Sequence, residues 1–426
     1  MSELSTAAAA GESPRRIYLV ATAGFPNYGD ELITAHWLRQ LADRAPDADV
    51  WVDCPSPGLA SVLLDGLHPR ARFVDTLFRL CWEAPSESPW EVAAFAQQAV
   101  DDPGRAPRWA EGVELLRGAD VVHLLGGGYL HGEWPRHVGL VAGAVAAIRH
   151  SGGRAVATGL GLAPVAEGGV TALLCGLADR FEVVDLRDEA SGAVLRAGGV
   201  GHARVSCDDA WLGLGAGSSG VPTNSSPDLP EFMLCAQSDM LTVDRSRLAG
   251  LILETLRAWR VAPENLGVVE GIPGVDREIY ALIEHHIPGA RFFPFAHIWR
   301  DGLPVAPGQT WLSTRFHPHL MAAAAGASGV AIPVSPDFYL TKHQSLIAQG
   351  SRWGVAKELT VPDLPTAGGF PAEVVRRQHT AKAELANAVY GPASRGSGAA
   401  ARRGPAPADD AGATRNRVWD RRRRSG

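Results

Sequence analysis

Short apolar runs that stop at a glycine or acidic loop and then resume in a helical period recur along the whole chain. Arg16–Ala23 is apolar and β-branched, and Gly24 breaks it. Beyond Asp30, the residues Ile33, Trp37, Leu38 and Leu41 fall on one helical face, with Asp30 placed to cap the start. The same order returns at Asp120–Leu125 before Gly126–Gly128, at Ala155–Thr158 before GLGLAP, at Phe181–Leu186 before RDEAS and a helical Gly192–Ala197, and at Val205–Ser206 before Cys207–Asp209. A Gly/Ser/Pro-rich stretch interrupts it, and it then restarts. Phe232–Ala236, Gly267–Val269, Arg291–Phe295, Gln309–Ser313 and Gly329–Ile332 read as strands. Arg247–Arg260, Arg277–His286, His317–Ala325 and Glu373–Ala388 read as helices. Strands alternating with helices predict parallel βαβ units in doubly wound sheets. The chain is therefore expected to be α/β, with two Rossmann-like domains facing across a cleft.

The boundaries follow from composition. Residues 1–14 read as a disordered leader, 15–212 as the first domain and 213–230 as a linker. Residues 231–390 read as the second domain with its closing helix, and 391–426 as a disordered Arg-rich tail. That tail carries nine Arg and three Asp, a net of +6, so the rest of the 426-residue chain holds −12 of the overall −6. A body that acidic has no field for nucleic acid. No apolar run reaches the ~20 residues a membrane span needs, and the N-terminus shows no secretory pattern, so a cytoplasmic protein is expected. The five cysteines are scattered and read as small buried hydrophobes. The sequence has no G-x-x-x-x-G-K-[ST], no H-E-x-x-H and no G-x-S-x-G, which argues against ATPases, zincin proteases and α/β-hydrolases.

In open α/β sheets, ligands bind outside the carboxyl ends of the strands, and five loops there carry chemistry. In GFPNYGDE, Asp30 and Glu31 already place negative charge at a helix start. A hydroxylated ligand suits it better than a phosphate, with Asn27 and Asp30 as partners; the residues alone favour the plainer reading, in which Asn27 builds the turn and Asp30 only caps. In LGGGY, three glycines allow close backbone approach, and Tyr129 and Trp134 can stack on a sugar face, or the segment is a tight crossover. Arg187 can clamp an anion or pair with Asp188, Glu189 or Asp209. Asp208 and Asp209 can orient Arg187 or bind hydroxyls. In STRFHPH, Arg315 and His317 are two apart and share a side in extended geometry, the first a planar anion fork and the second a proton carrier. His317-x-His319 lacks an acidic or Cys companion, so neither a metal nor another cofactor is expected.

GFPNYGDELI, LLGGGYL, GLGLAP, LRDEAS, a DDA after a short strand, and STRFHPHLMAAAAG with a later Tyr339-Leu-Thr-Lys342 occur in that order. The chain resembles the polysaccharide pyruvyl transferase family from about Arg16 to Val355. The resemblance implies a GT-B-like fold and transfer of a pyruvyl group from phosphoenolpyruvate to glycan or glycoconjugate hydroxyls, forming a ketal and releasing phosphate. It implies that Arg187 and Arg315 bind the donor and that His317 belongs to the R-x-H motif, a candidate for acid/base catalysis. Asn27, Asp30, Tyr129 and Asp209 are carried as acceptor-binding or structural residues. The alternatives are a GT-B nucleotide-sugar glycosyltransferase, with Glu270 as a possible ribose carboxylate, and a non-catalytic carbohydrate-binding relative. The segment Thr76–Gly112 reads as an elaboration of this chain.

Overall fold

The computed structural model describes residues 14–164, 169–214, 228–356 and 359–392. The leader up to residue 13, most of the proposed linker (215–227) and the tail from 393 lie outside the described residues. Thirteen strands form two all-parallel sheets among them. The first sheet holds β1 (Arg16–Val20), β2 (Asp49–Asp53), β3 (Ala71–Val74), β4 (Val121–Leu124), β5 (Arg154–Leu160), β6 (Val183–Leu186) and β7 (Arg204–Val205). Its spatial order is β3-β2-β1-β4-β5-β6-β7. The second holds β8 (Phe232–Cys235), β9 (Leu266–Val269), β10 (Arg291–Phe293), β11 (Thr310–Ser313), β12 (Ser328–Ala331) and β13 (Gly354–Val355), ordered β10-β9-β8-β11-β12-β13. Both orders reverse beside their first strand, so each sheet has a doubly wound switch point where a ligand crevice opens. Two such α/β halves facing across a cleft make the architecture GT-B-like.

Strand β1 shows why helices cover both faces. Ile17 and Leu19 enter one apolar core, while Tyr18 and Val20 enter another, and all four are fully buried. With side chains alternating across a sheet, a strand buried on both faces needs a helical layer on each. The core containing Ile17 and Leu19 runs on through Trp37 to Trp311 and Leu320 of the second half, so apolar packing continues across the molecule. In Thr76–Gly112, helices Thr76–Glu83 and Pro89–Asp101 pack on helix Val138–Ser151. Close packing there depends on small residues: a Cβ on Gly143 would lie 2.4 Å from Leu77, and one on Gly139 would lie 2.8 Å from Cys81. All five cysteines are buried and unbridged.

The helix Ala372–Tyr390, expected to close the second half, makes its buried polar contacts with the first. Lys382 Nζ donates to Asp185 Oδ2 (2.6 Å) and Asp209 Oδ1 (2.7 Å), and the Tyr390 hydroxyl pairs with His123 Nδ1 at 2.7 Å. An ammonium with no exposure must sit where carboxylates can compensate it, and those lie at the ends of β6 and β7. Among the described residues, no helix is long and apolar enough to cross a membrane.

Candidate active site

The cleft, about 620 Å³ in volume, is lined from the first half by Asn27, Asp30, Tyr129 and Arg187, and from the second by Arg315 and His317. The structure thus gathers six of the seven residues singled out from sequence. The seventh, Asp209, is fully buried beneath it. Its carboxylate accepts from Trp37 Nε1 (2.7 Å), Thr158 Oγ1 (2.6 Å), Gly126 N (3.0 Å) and Lys382, which leaves it no face for a ligand. Its neighbour Asp208, also buried, lies instead directly behind two cleft residues, with Oδ1 3.5 Å from His317 Nε2 and Oδ2 3.6 Å from Arg187 Nη1. Burial alone would push the Asp208 carboxyl up, but His317, Arg187 and the Ala210 N–H together hold it well below the usual carboxylate range.

The loops that carry these groups are shaped by each other's side chains. Asn27, not Asp30, caps helix Tyr28–Arg44, its Oδ1 accepting from Gly29 N at 3.2 Å. Asp30 sits in the first turn, and its Oδ2 accepts from Asn27 Nδ2 at 2.9 Å. Burial raises the Asp30 carboxyl pKa, opposed by His317 and Lys342. Gly29 is required by contact: a Cβ there would lie 1.7 Å from His317 Nδ1. Arg315 is itself the N-cap of helix Phe316–Ala324, and His317 lies in the first turn. The two therefore reach the cleft from a strand end and a helix start, not from one extended segment as the spacing suggested.

Neither arginine is an uncompensated cation. Arg315 Nε binds both oxygens of buried Asp276 (3.0 and 3.1 Å), and Nη2 reaches Asp276 and Asp239 Oδ1 (3.0 Å). Burial opposes the Arg315 charge, yet Asp276, with Tyr339 and Asp239, more than offsets it and raises its pKa. Arg187 is held less tightly. Its Nε stands 3.4 Å from Asp188 Oδ2 and, like His317 Nε2, has no hydrogen-bond acceptor, while its guanidinium lies 4.8 Å from the centre of the Phe316 ring. Phe316, the middle residue of R-F-H, therefore supports the arginine of the opposite half.

Lys342, whose sequence neighbourhood gives no sign of a role at the site, completes the group. It lies on helix Tyr339–Ala348 and lines the cleft. A Cβ on Gly128 would lie 3.2 Å from both Arg187 Nη2 and Lys342 Nζ, so the two cations converge over the last glycine of LGGGY. Burial, and next the Arg187 charge, push the Lys342 ammonium well below its ordinary pKa, against the pull of Asp30. The glycines thus make room for protein side chains, which a turn-based reading of that loop did not anticipate. Tyr129 is only 3% exposed and donates to Leu125 O at 2.8 Å, so its ring is wall and not a free stacking surface. Glu270 accepts from Phe295 N (3.1 Å), Gly274 N (3.2 Å) and Arg277 Nε (3.1 Å), so it is not free to hold a ribose.

A sequence-family model described as polysaccharide pyruvyl transferase matches residues 27–336. Comparison with curated proteins finds no match of significant similarity. Among solved structures, the chain is similar to the UDP-GlcNAc 2-epimerase from Neisseria meningitidis bound to UDP-GlcNAc, with 11% identity, 88% of this chain and 93% of that chain covered, and a TM-score of 0.47. It is also similar to S. aureus MnaA in its UDP co-structure (12% identity, 88% and 90% covered, TM-score 0.48). A third is the spinosyn rhamnosyltransferase SpnG complexed with thymidine diphosphate (14% identity, 88% and 95% covered, TM-score 0.38).

Proposed function

Because the chain belongs to the polysaccharide pyruvyl transferase family, we propose that it moves the pyruvyl group of phosphoenolpyruvate onto two hydroxyls of a glycan or glycoconjugate, forming a cyclic ketal and releasing phosphate. The observation that carries this reading is the convergence of Arg187 and Lys342 over Gly128, beside the His317–Asp208 pair. Phosphoenolpyruvate is a compact anion with a phosphate and a carboxylate. Arg187 has unused donor capacity, and Lys342 is a buried ammonium that an adjacent anion would stabilise. Arg315, locked by Asp276 and Asp239, presents a fixed edge at the side of the anion site.

The reaction needs a proton on the methylene carbon of the donor and attack by a glycan oxygen at its central carbon. The C–O bond to phosphate then breaks, and a second hydroxyl closes the ketal. One of the two hydroxyl protons is balanced by the new methyl group and the other leaves with phosphate. His317 is assigned proton transfer, with Asp208 orienting its ring and stabilising the imidazolium. Asp30 accepts from an acceptor hydroxyl. The runner-up, a nucleotide-sugar glycosyltransferase, loses support because Glu270 is occupied by protein donors.

The test is a thermal-shift comparison of phosphoenolpyruvate, uridine diphosphate and guanosine diphosphate, paired with phosphate release over a panel of acceptor glycans. Phosphoenolpyruvate is expected to raise Tm by mass action and Lys342→Met to abolish that rise. His317→Ala is expected to keep the rise and lose about 10²–10⁴-fold in turnover. Stabilisation by a nucleotide alone would overturn the reading.

A further inference from the structure

Three aromatic side chains stand largely in solvent among the described residues: Phe25 (63% exposed), Trp82 (55%) and Trp90 (49%). Two of them, Phe25 and Trp82, line the same cleft as Arg187 and His317. They come from separate parts of the chain, the loop before helix Tyr28–Arg44 and the helix Thr76–Glu83 of the elaboration. Exposed aromatic surface inside a ligand cleft signals a binding role rather than a packing one.

The Trp82 indole is braced. The Arg136 guanidinium lies 5.4 Å from its ring centre. Arg136 is fixed in turn, donating to Cys81 O (3.3 Å), Trp82 O (3.4 Å) and Glu87 Oε1 (3.0 Å). His137 meets the indole edge-on at 6.3 Å and 88°, and its Nδ1 pairs with Tyr129 O at 2.8 Å. A ring held this way loses little freedom when a flat face stacks on it. The Arg136 charge is taken up by Glu87, while Arg187, Lys342 and Arg315 are the cations that line the cleft. An aromatic surface without a free cation suits a neutral ligand with an apolar C–H face and a hydroxylated edge. Asn27 and Asp30 in the same cleft can meet that edge. A pyranose has this chemistry.

We infer that Trp82 and Phe25 form a platform that stacks on a pyranose ring of the acceptor and so selects which glycan is presented to the donor site. The inference rests on the pyruvyl-transfer reading for the role of that glycan. The full chain is titrated by saturation-transfer NMR with methyl β-D-galactopyranoside, methyl β-D-glucopyranoside, methyl β-D-mannopyranoside and methyl N-acetyl-β-D-glucosaminide. At least one should bind wild type through its ring protons. Trp82→Ala and Phe25→Ala should each raise its Kd about tenfold or more, and Trp82→Phe should recover part of the loss. In the same proteins, the Tm rise with phosphoenolpyruvate should be unchanged. Binding of none of the four glycosides, or a Kd within about twofold of wild type in both alanine variants, overturns the platform. If glycoside binding depends on Trp82 but phosphoenolpyruvate does not stabilise wild type, the platform stands and the donor reading falls. The reverse pattern removes the platform and leaves the donor reading intact.

Discussion

Replacing Lys382 with Met removes one ammonium and keeps most of the side-chain volume. Lys382, Asp185 and Asp209 all have zero side-chain exposure, and the ammonium lies 2.6 and 2.7 Å from the two carboxylates. Removing one partner of a buried ion pair costs about 3–5 kcal/mol. The lower part of that range is expected, because Asp209 keeps three donors (Trp37, Thr158 and Gly126) and Asp185 keeps the Gly159 N–H at 3.1 Å. With an unfolding entropy of roughly 0.8–0.9 kcal/mol/K for a chain of this length, Tm should fall by about 4 °C at neutral pH. The sign of the pH dependence follows from who binds protons. In wild type, burial opposes the Lys382 charge, yet Asp185 and Asp209 raise its pKa above the ordinary lysine value. Its contribution is therefore complete below about pH 10 and lost only above that. In Lys382→Met the two buried carboxylates lose the ammonium they share, and only half-exposed Arg204, 3.5 Å from Asp185 Oδ1, is left beside them; they take up protons in the folded state as pH falls, so the deficit should shrink toward pH 5.5 and widen toward pH 8.5. Adding Asp185→Asn should recover part of it by removing one of the two carboxylates that lost the ammonium. Thermal scans at pH 5.5, 7.0 and 8.5 measure all of this. A loss under about 1 °C at pH 8.5, or a deficit that grows toward acid, would refute the reasoning.

Two further substitutions probe the first loop. Gly29→Ala puts a Cβ 1.7 Å from His317 Nδ1; the protein should fold and keep its response to phosphoenolpyruvate but lose about 10²-fold or more in phosphate release, and wild-type turnover would contradict the contact. Glu31 is fully buried, and burial pushes its pKa up to about 8 despite the Gly24 N–H it accepts. Its folded form keeps a proton that the unfolded chain releases, so wild type should lose stability from about pH 4.5 to 8. Glu31→Gln has no such proton, so its Tm relative to wild type should rise across that window, and a constant gap between pH 5 and 8 would sink the assignment.

The strand–loop–helix alternation was legible because every central strand is buried on both faces and must therefore be apolar and short. The strands that escaped notice are of another kind. β3 and β13 are sheet edges, and β3 carries no fully buried residue, so neither needs a strong pattern. β2 begins and ends on Asp, with Asp53 buried under the Tyr18 hydroxyl and the Leu77 N–H, a charge that composition marks as surface. At the site, Asn27, Asp30, Arg187, Arg315 and His317 could be picked out because they end strands or start helices. Which of Asp208 and Asp209 supports His317 and Arg187 could not be read locally, since Asp209 is taken by Lys382, 173 positions away. Lys342 escaped for a related reason: its meeting with Arg187 over Gly128 joins three segments from both halves.

The bond from Lys382 to Asp185 and Asp209 also bears on the order in which the molecule can be made. Synthesis proceeds from the N-terminus, and domains generally fold as units as they emerge. Here the first half emerges with two carboxylates destined for full burial; Arg204, 3.5 Å from Asp185 Oδ1, emerges with them, but the ammonium that binds both follows 197 and 173 residues later. Until then Asp209 has no cation and must stay wet, so the segment after β7, with Asp208 between Asp209 and the strand, cannot reach its final packing. A ribosome-bound chain lacking its last described helix should therefore hold a first half whose β5–β6–β7 edge exchanges amide hydrogens freely. Assembly of the cleft floor becomes one of the last events in the life of the nascent chain.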